Sequence, residues 1–234
     1  RILIGFIIAS FFSLVYFLAP IYVCTCIYYM VTSPRDVSTW KFASVMIISI
    51  IIPPMNSPVL CSKLTPMLDF FEYEEIRETS FEEFERLVNE EGKTYIVVLQ
   101  PHGVLSYTGF CGKVATSEHV GYLPTAVAAA LLKFPILKHV IGIFGLVDAS
   151  SKNMAKVFRL NGVRGCMYLY PGGIAELFRC SQTEERLYLS KRKGFVKLAL
   201  REGVDIVPFY FFGNTSILSV LSTGPLAVLS RKLG

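Results

Sequence analysis

Between residues 2 and 34 the chain carries no charged side chain, a run of 33 mostly apolar residues. Crossing a bilayer as a helix takes about 20. Backbone groups inside lipid must satisfy one another, so a segment of this kind has to be helical. Residues 2–31 read as a transmembrane helix, straight or kinked at Pro20. A cleaved signal peptide fits poorly: the apolar region is too long, and a second one follows. A polar connector at 32–41 carries Arg35, Asp36 and Lys41. Residues 42–52 are again apolar and stop at Pro53-Pro54. That run is short for a full span. The expected arrangement is a helical hairpin in or across the membrane over residues 1–62; one span plus a buried helix is the alternative. The connector is too evenly charged to orient it.

The 234 residues carry a net charge of +5, unevenly spread. Residues 69–91 hold ten acidic side chains and two basic ones, which leaves the remainder at +13. A basic body beside an apolar anchor suits anionic headgroups or an anionic co-substrate, although solubilising lysines account for it equally well. No nucleic-acid-binding motif accompanies the charge. The cysteines at 24, 26, 61, 111, 166 and 180 form no C-x-x-C pair and have no histidine at zinc-ligand spacing, so they read as reduced structural thiols, with no metal site expected. A chain running from Arg1 to Gly234 reads as a piece of a longer one.

Within 63–92, Phe81, Phe84, Leu87 and Val88 recur at helical spacing in an acidic background. Ser80 and Glu83 resemble a capping box, and Gly92 closes the helix. This predicts an acidic amphipathic connector helix. From 93 to 234 the pattern alternates. Strands are expected at 94–99, within 120–130, at 166–170 and at 205–212, with a short one at 186–189. Helices are expected at 131–143, 153–160 and 194–201. The run at 205–212 is apolar enough to predict cover on both faces. Together these predict an α/β domain, a largely parallel sheet flanked by helices and preceded by the membrane hairpin.

Open α/β sheets bind ligands beyond the carboxyl ends of their strands. Gln100-Pro101-His102-Gly103 follows the first strand. Pro101 stops the strand, Gly103 permits close approach, and His102 is suited to taking a proton from a hydroxyl near neutral pH. Pro171-Gly172-Gly173 follows the third strand, with Glu176 three residues on. Paired glycines free amides for an anion, and Glu176 is placed to orient His102 or share its proton. The plainer readings are a turn with a histidine in it and a glycine turn opening a helix. His119, expected in a polar loop at 116–120, and His139, on an apolar helix near the membrane face, are weaker candidates. The basic run Lys191-Arg192-Lys193 suits phosphates, or is simply solvated.

Four blocks now stand in order: P-H-G at 101–103, P-G-G-x-x-E at 171–176, R-x-G-F at 192–195 and V-P-x-x-x-F-G at 207–213. Their order resembles the diacylglycerol acyltransferase type 2 family, with its monoacylglycerol and wax-alcohol acyltransferases, over residues 94–222. The resemblance implies an acyl-CoA-dependent O-acyltransferase of neutral lipid synthesis. It implies acyl-CoA as co-substrate with no bound cofactor, and a neutral lipid acceptor. It also implies an endoplasmic reticulum membrane or lipid-droplet setting, with the catalytic domain in the cytosol. His102 matches the family's catalytic histidine and Glu176 its motif acid. Pro101, Gly103, Pro171, Gly172 and Gly173 match the surrounding motif positions. A homo-oligomer stays open.

Two positions depart from the pattern: Gln100 stands where animal members have a first histidine, and Asn214 where the last block usually ends in glutamate. A non-catalytic lipid-binding relative is therefore the rival reading. The H-x-x-x-x-D dyad of glycerophosphate acyltransferases is absent, since Tyr107, Pro124 and Phe144 lie five residues after the three histidines. No G-x-S-x-G elbow and no P-loop is present.

Overall fold

The computed structural model describes residues 1–179, 181, 183–218, 224 and 228. Cys180 and most of the chain beyond 218, which the sequence assigns to the catalytic domain, lie outside the described residues.

Five parallel strands form one sheet in the order β3-β2-β4-β1-β5. They are β1 (Tyr95–Gln100), β2 (Thr125–Val127), β3 (Leu146–Asp148), β4 (Met167–Leu169) and β5 (Asp205–Tyr210). The long β1 pairs with β5 along its whole length, Tyr95 opposite Asp205 and Gln100 opposite Tyr210. On its other side it pairs with β4, Ile96 opposite Met167. Alternation along β1 feeds two cores. Ile96 and Val98 pack with Met154, Ala155 and Phe158 of α9 (Ser151–Phe158) and with Leu198 and Ala199 of α11 (Gly194–Glu202). Tyr95, Val97 and Leu99 face the other way, toward Val88 of α5 (Phe81–Asn89) and Phe211.

Half of the capping box of α5 is seen: the Ser80 hydroxyl accepts from the Glu83 N–H at 3.2 Å, while the Glu83 carboxylate accepts from Arg86. Several boundaries differ from the sequence reading. The helix α6 (Tyr107–His119) was not expected, because Gly109, Gly112 and a run of small polar residues blur its apolar period. His119 ends this helix rather than lying in a loop, exposed and stacked on Phe81 at 4.6 Å. The helix expected at 131–143 is two pieces, α7 (Ala129–Lys133) and α8 (Leu137–Gly142), broken around Pro135 with Ile136 at φ +64°. β3 was missed for its shortness. No strand forms at 186–189 among the described residues. β5 is an edge strand, not a doubly covered one: Ile206 is 37% and Tyr210 38% exposed.

The apolar N-terminus is one helix, α1 (Ile2–Thr32), continuous through Pro20. It is long and apolar enough to cross a membrane. Its first half packs on the α/β body through α6 and through α4 (Pro66–Phe70), which follows the short α3 (Pro58–Ser62). Gly5 makes the closest crossing: a Cβ there would lie 2.1 Å from Pro66 O and 2.6 Å from Phe70 Cβ. Phe12 packs on Phe110 and Phe144, whose rings stack at 4.4 Å. The Tyr107 hydroxyl donates to Ala9 O at 2.7 Å and also meets Ser13 Oγ. The second half packs instead on α2 (Val37–Ile51), around Cys26, Ala43 and Met46. α2 begins earlier than expected because the Asp36 carboxylate accepts from the Ser38 N–H and caps it.

The carboxyl end of α2 meets α8. The Lys138 ammonium donates to Ile50 O at 3.2 Å, His139 Nε2 lies 3.1 Å from Ser49 O, and the Ile136 N–H donates to Ser49 Oγ at 2.5 Å. Lys138 and His139 thereby satisfy last-turn carbonyls that a helix leaves unpaired. His139 therefore ties two helices together.

One buried charge stands out on α6. Lys113 is 3% exposed, donates to Leu123 O, and lies 4.6 Å above the Tyr122 ring. Burial brings its ammonium down to about 7.

Gly5→Leu should force α1 off α4 and destabilise the protein by about 1–3 kcal/mol, whereas Leu3→Ala on the exposed side should be near neutral; thermal unfolding in detergent measures both. Between about pH 7 and pH 10 the unfolded chain holds a proton on Lys113 that the folded chain has released, so stability should rise with pH across that window. Lys113→Met should flatten the rise, which melting temperatures at pH 7 and pH 9.5 would reveal.

Candidate active site

β1 ends at Gln100, and the buried Pro101, with no N–H to offer a ladder, closes it. His102 follows and is half-buried. Its ring nitrogen Nδ1 lies 2.8 Å from Gly103 O. A carbonyl can only accept, so Nδ1 carries the proton and Nε2 presents the lone pair. Burial pushes the imidazole below its ordinary value, opposed by the Gly103 bond and by the Glu176 charge. The ring is therefore neutral at pH 7 and basic at Nε2.

Glu176 lies on the short α10 (Ile174–Leu177) and is 1% exposed. Its Oε2 accepts from the His102 N–H at 2.8 Å, and Oε1 accepts from the Tyr188 N–H at 2.9 Å. These are main-chain contacts. The carboxylate braces the backbone on which the imidazole stands, while Gly103 O selects the tautomer. Gly172 allows this seat, since a Cβ there would lie 2.5 Å from Glu176 Cδ. Gly173 turns the chain into α10 at φ +53°, a conformation that favours glycine.

Three further side chains complete the site. The Tyr170 ring stands edge-on to the imidazole at 4.8 Å, and its hydroxyl meets Ser106 Oγ at 2.7 Å. Gly109 makes room for that hydroxyl: a Cβ would lie 1.7 Å from it. Burial raises the Tyr170 phenol, so it stays protonated. Asn214, 1% exposed, donates from Nδ2 to Pro101 O and to His102 O, each at 2.9 Å. Sequence reasoning missed Tyr170 and Ser106 and gave Asn214 no role. The strand-end rule that picked His102 also covers residues just past β4 and β5, and would have raised two of the three.

The structure thus gathers Pro101, His102, Gly103, Gly172, Gly173 and Glu176, with Pro171 opening the turn after β4. The basic run lies on its flank. Lys191, Arg192 and Lys193 are exposed just ahead of the α11 N-terminus, and Arg192 Nη2 reaches Gly172 O at 3.4 Å. Arg179 and Arg192 both lie over the Tyr188 ring, at 4.5 and 5.2 Å. His119 and His139 lie on other elements, α6's end and α8. Among the described residues no group of three or more His, Cys, Asp or Glu side chains could hold a metal ion.

The chain resembles known proteins across this region. Diacylglycerol O-acyltransferase 2 of Danio rerio is 32% identical over 135 residues, 55% of this chain and 37% of that protein. The Dictyostelium discoideum protein of the same name is 31% identical over 147 residues, 60% of this chain and 44% of the relative. Human 2-acylglycerol O-acyltransferase 3 is 33% identical over 141 residues, 56% of this chain and 41% of the relative. The chain spans about two-fifths of the length of these curated relatives. No solved structure matches. The model of the diacylglycerol acyltransferase family matches residues 76–228, which takes in every strand of the sheet and leaves out α1 and α2, and on that match the chain belongs to the diacylglycerol acyltransferase family.

Proposed function

We propose that this chain carries the catalytic centre of a membrane-bound, acyl-CoA-dependent O-acyltransferase. Its acceptor is a neutral lipid hydroxyl, foremost that of diacylglycerol, and its product there is triacylglycerol. One observation carries the reading: a neutral imidazole, protonated on Nδ1 by its bond to Gly103 O, leaves Nε2 as a base at the carboxyl end of the central sheet.

The chemistry follows from that nitrogen. Nε2 removes the acceptor hydroxyl's proton as its oxygen attacks the thioester carbonyl of acyl-CoA. Backbone amides near Gly103 or Gly172 and Gly173 stabilise the developing oxyanion. The thiolate of coenzyme A leaves, and the proton on His102 returns to it. No acyl-enzyme is needed. Glu176 keeps the base in place through the His102 N–H. Lys191, Arg192 and Lys193, beside the α11 N-terminus, suit the phosphates of coenzyme A.

α1 and α2 act as a membrane hairpin that brings the site to an acceptor too apolar to dissolve in water. The endoplasmic reticulum membrane and the lipid-droplet surface are the settings proposed, with the α/β body in the cytosol. Monoacylglycerol is the second acceptor to consider, favoured by the likeness to human 2-acylglycerol O-acyltransferase 3.

In microsomes given labelled acyl-CoA and diacylglycerol, His102→Gln should abolish ester formation at equal protein level. Undiminished ester formation would sink the reading and leave a lipid-binding role. For the unaltered chain, kcat/KM should rise with pH to a plateau already reached at neutrality, its midpoint below the ordinary histidine value of about 6.5. The sign follows from the base: protonated Nε2 cannot accept. Lys191→Glu with Lys193→Glu should raise KM for acyl-CoA several-fold at low ionic strength and less at high salt, with kcat retained; initial rates at two salt concentrations test this.

A further inference from the structure

We propose that Asn214 is a positioning residue for His102, supplying hydrogen-bond donors that no carboxylate at this position could supply. The inference rests on His102 being the base.

The main chain around His102 leaves β1 and loses its ladder partners. Three of its polar groups are then satisfied by two buried side chains. The His102 N–H goes to Glu176, and the Pro101 and His102 carbonyls both go to Asn214 Nδ2. Glu176 arrives from the turn after β4 and Asn214 from just past β5, the two neighbours of β1 in the sheet. Each side chain has the polarity its target requires: an acceptor for an N–H, a donor for a C=O. Nδ2 also lies 3.5 Å from Ser106 Oγ, which leads on to Tyr170 and the imidazole's edge.

The contact is tight. A Cβ on Gly103 would lie 2.8 Å from Nδ2 and 2.9 Å from Asn214 O. The other end of the carboxamide has no such use: Oδ1 is buried and meets no donor among the described residues. A side chain kept in full burial with its oxygen unmatched is kept for its nitrogen. A carboxylate here would set oxygen against two carbonyl oxygens and place a second negative charge beside the imidazole. The titratable groups described around that ring are the Glu176 carboxylate and the Tyr170 phenol, with the Arg192 guanidinium on Gly172 O beyond them.

Three variants in the full-length membrane-bound chain test this, each with initial rates across pH and with carbethoxylation of the His102 peptide followed by mass spectrometry. Asn214→Ala should lower kcat about 10- to 100-fold, as expected for a base displaced by a fraction of an ångström to about one, with KM for acyl-CoA unchanged and the acid limb unmoved. Asn214→Asp should lower kcat comparably and move both the acid limb and the midpoint of carbethoxylation to higher pH. Asn214→Gln, which keeps the donors and the neutral charge, should lose least. If Asn214→Asp does not accumulate in membranes, the comparison of Asn214→Ala with Asn214→Gln decides. Wild-type kcat in Asn214→Ala, or equal losses in all accumulating variants with an unmoved carbethoxylation midpoint, overturns the proposal. A His102→Gln chain that retains activity overturns the underlying reading instead, so the two failures are told apart.

Discussion

The main chain leaving β1 at Gln100 must find new hydrogen-bond partners, because a parallel ladder ends where its strands end and buried N–H and C=O groups do not stay unpaired. Here the partners come from the two flanking strands' exits, a carboxylate on one side and a carboxamide on the other. This pair of contacts explains features that otherwise look unrelated. Gly103 lacks a side chain because Asn214 lies against it, and Gly172 lacks one because Glu176 does. Glu176 spends its second oxygen on the Tyr188 N–H, which fixes the loop that carries the basic run toward α11. The central position of β1 in the order β4-β1-β5 is what lets both sides reach it.

The same segment connects the site to the apolar N-terminus. Ser106 and Tyr107 are neighbours in the chain with opposite duties. Ser106 meets Tyr170 beside the imidazole, and Tyr107 donates to Ala9 O on α1. Two consecutive residues therefore join the helix suited to a bilayer to the side chains that surround the imidazole. The first half of α1 is a packed member of the body, with Gly5 and Phe12 as its closest contacts. Its second half leaves the body and packs on α2. An apolar helix that is also part of the core holds the sheet at a fixed offset from itself, which a flexible tether would not.

Much of this was legible because it rests on local patterns. The uncharged run gave α1 its limits almost to the residue, and Ser80 with Glu83 marked α5. The blocks at 101–103 and 171–176 gave the histidine and its acid, since Pro and Gly at strand exits are local signals. What stayed hidden depends on distant partners. α6 is held by burial of Tyr107, Cys111 and Val114 against α1 and α4, and its glycines, which obscure the helical period, are there for Tyr170 and Tyr73 to approach. The apolar run of β5 suggested a central strand, yet composition cannot say which strand ends at an edge. The role of Asn214 was unreadable because its partners are two main-chain carbonyls more than a hundred residues away.

The manner in which Glu176 is used bears on how the imidazole is tuned. In a Ser-His-Asp arrangement the carboxylate bonds the ring itself and stabilises the imidazolium. Here the ring's Nδ1 goes to a neutral carbonyl, and the carboxylate's described bonds go to two amides. The carbonyl fixes the tautomer with less stabilisation of the protonated ring than a carboxylate in the same place would bring. Burial then outweighs the remaining attraction of Glu176, and the imidazole stays neutral. In the acyl transfer proposed above, the acceptor hydroxyl is a weak acid and the thioester is already reactive, so the proposed base has to be unprotonated when substrates arrive rather than strongly basic. A braced, half-buried histidine meets that requirement with Gln100, not a second histidine, two residues before it. The neutral carboxamide at 214 works in the same direction, because it holds the turn without adding charge that would favour the imidazolium.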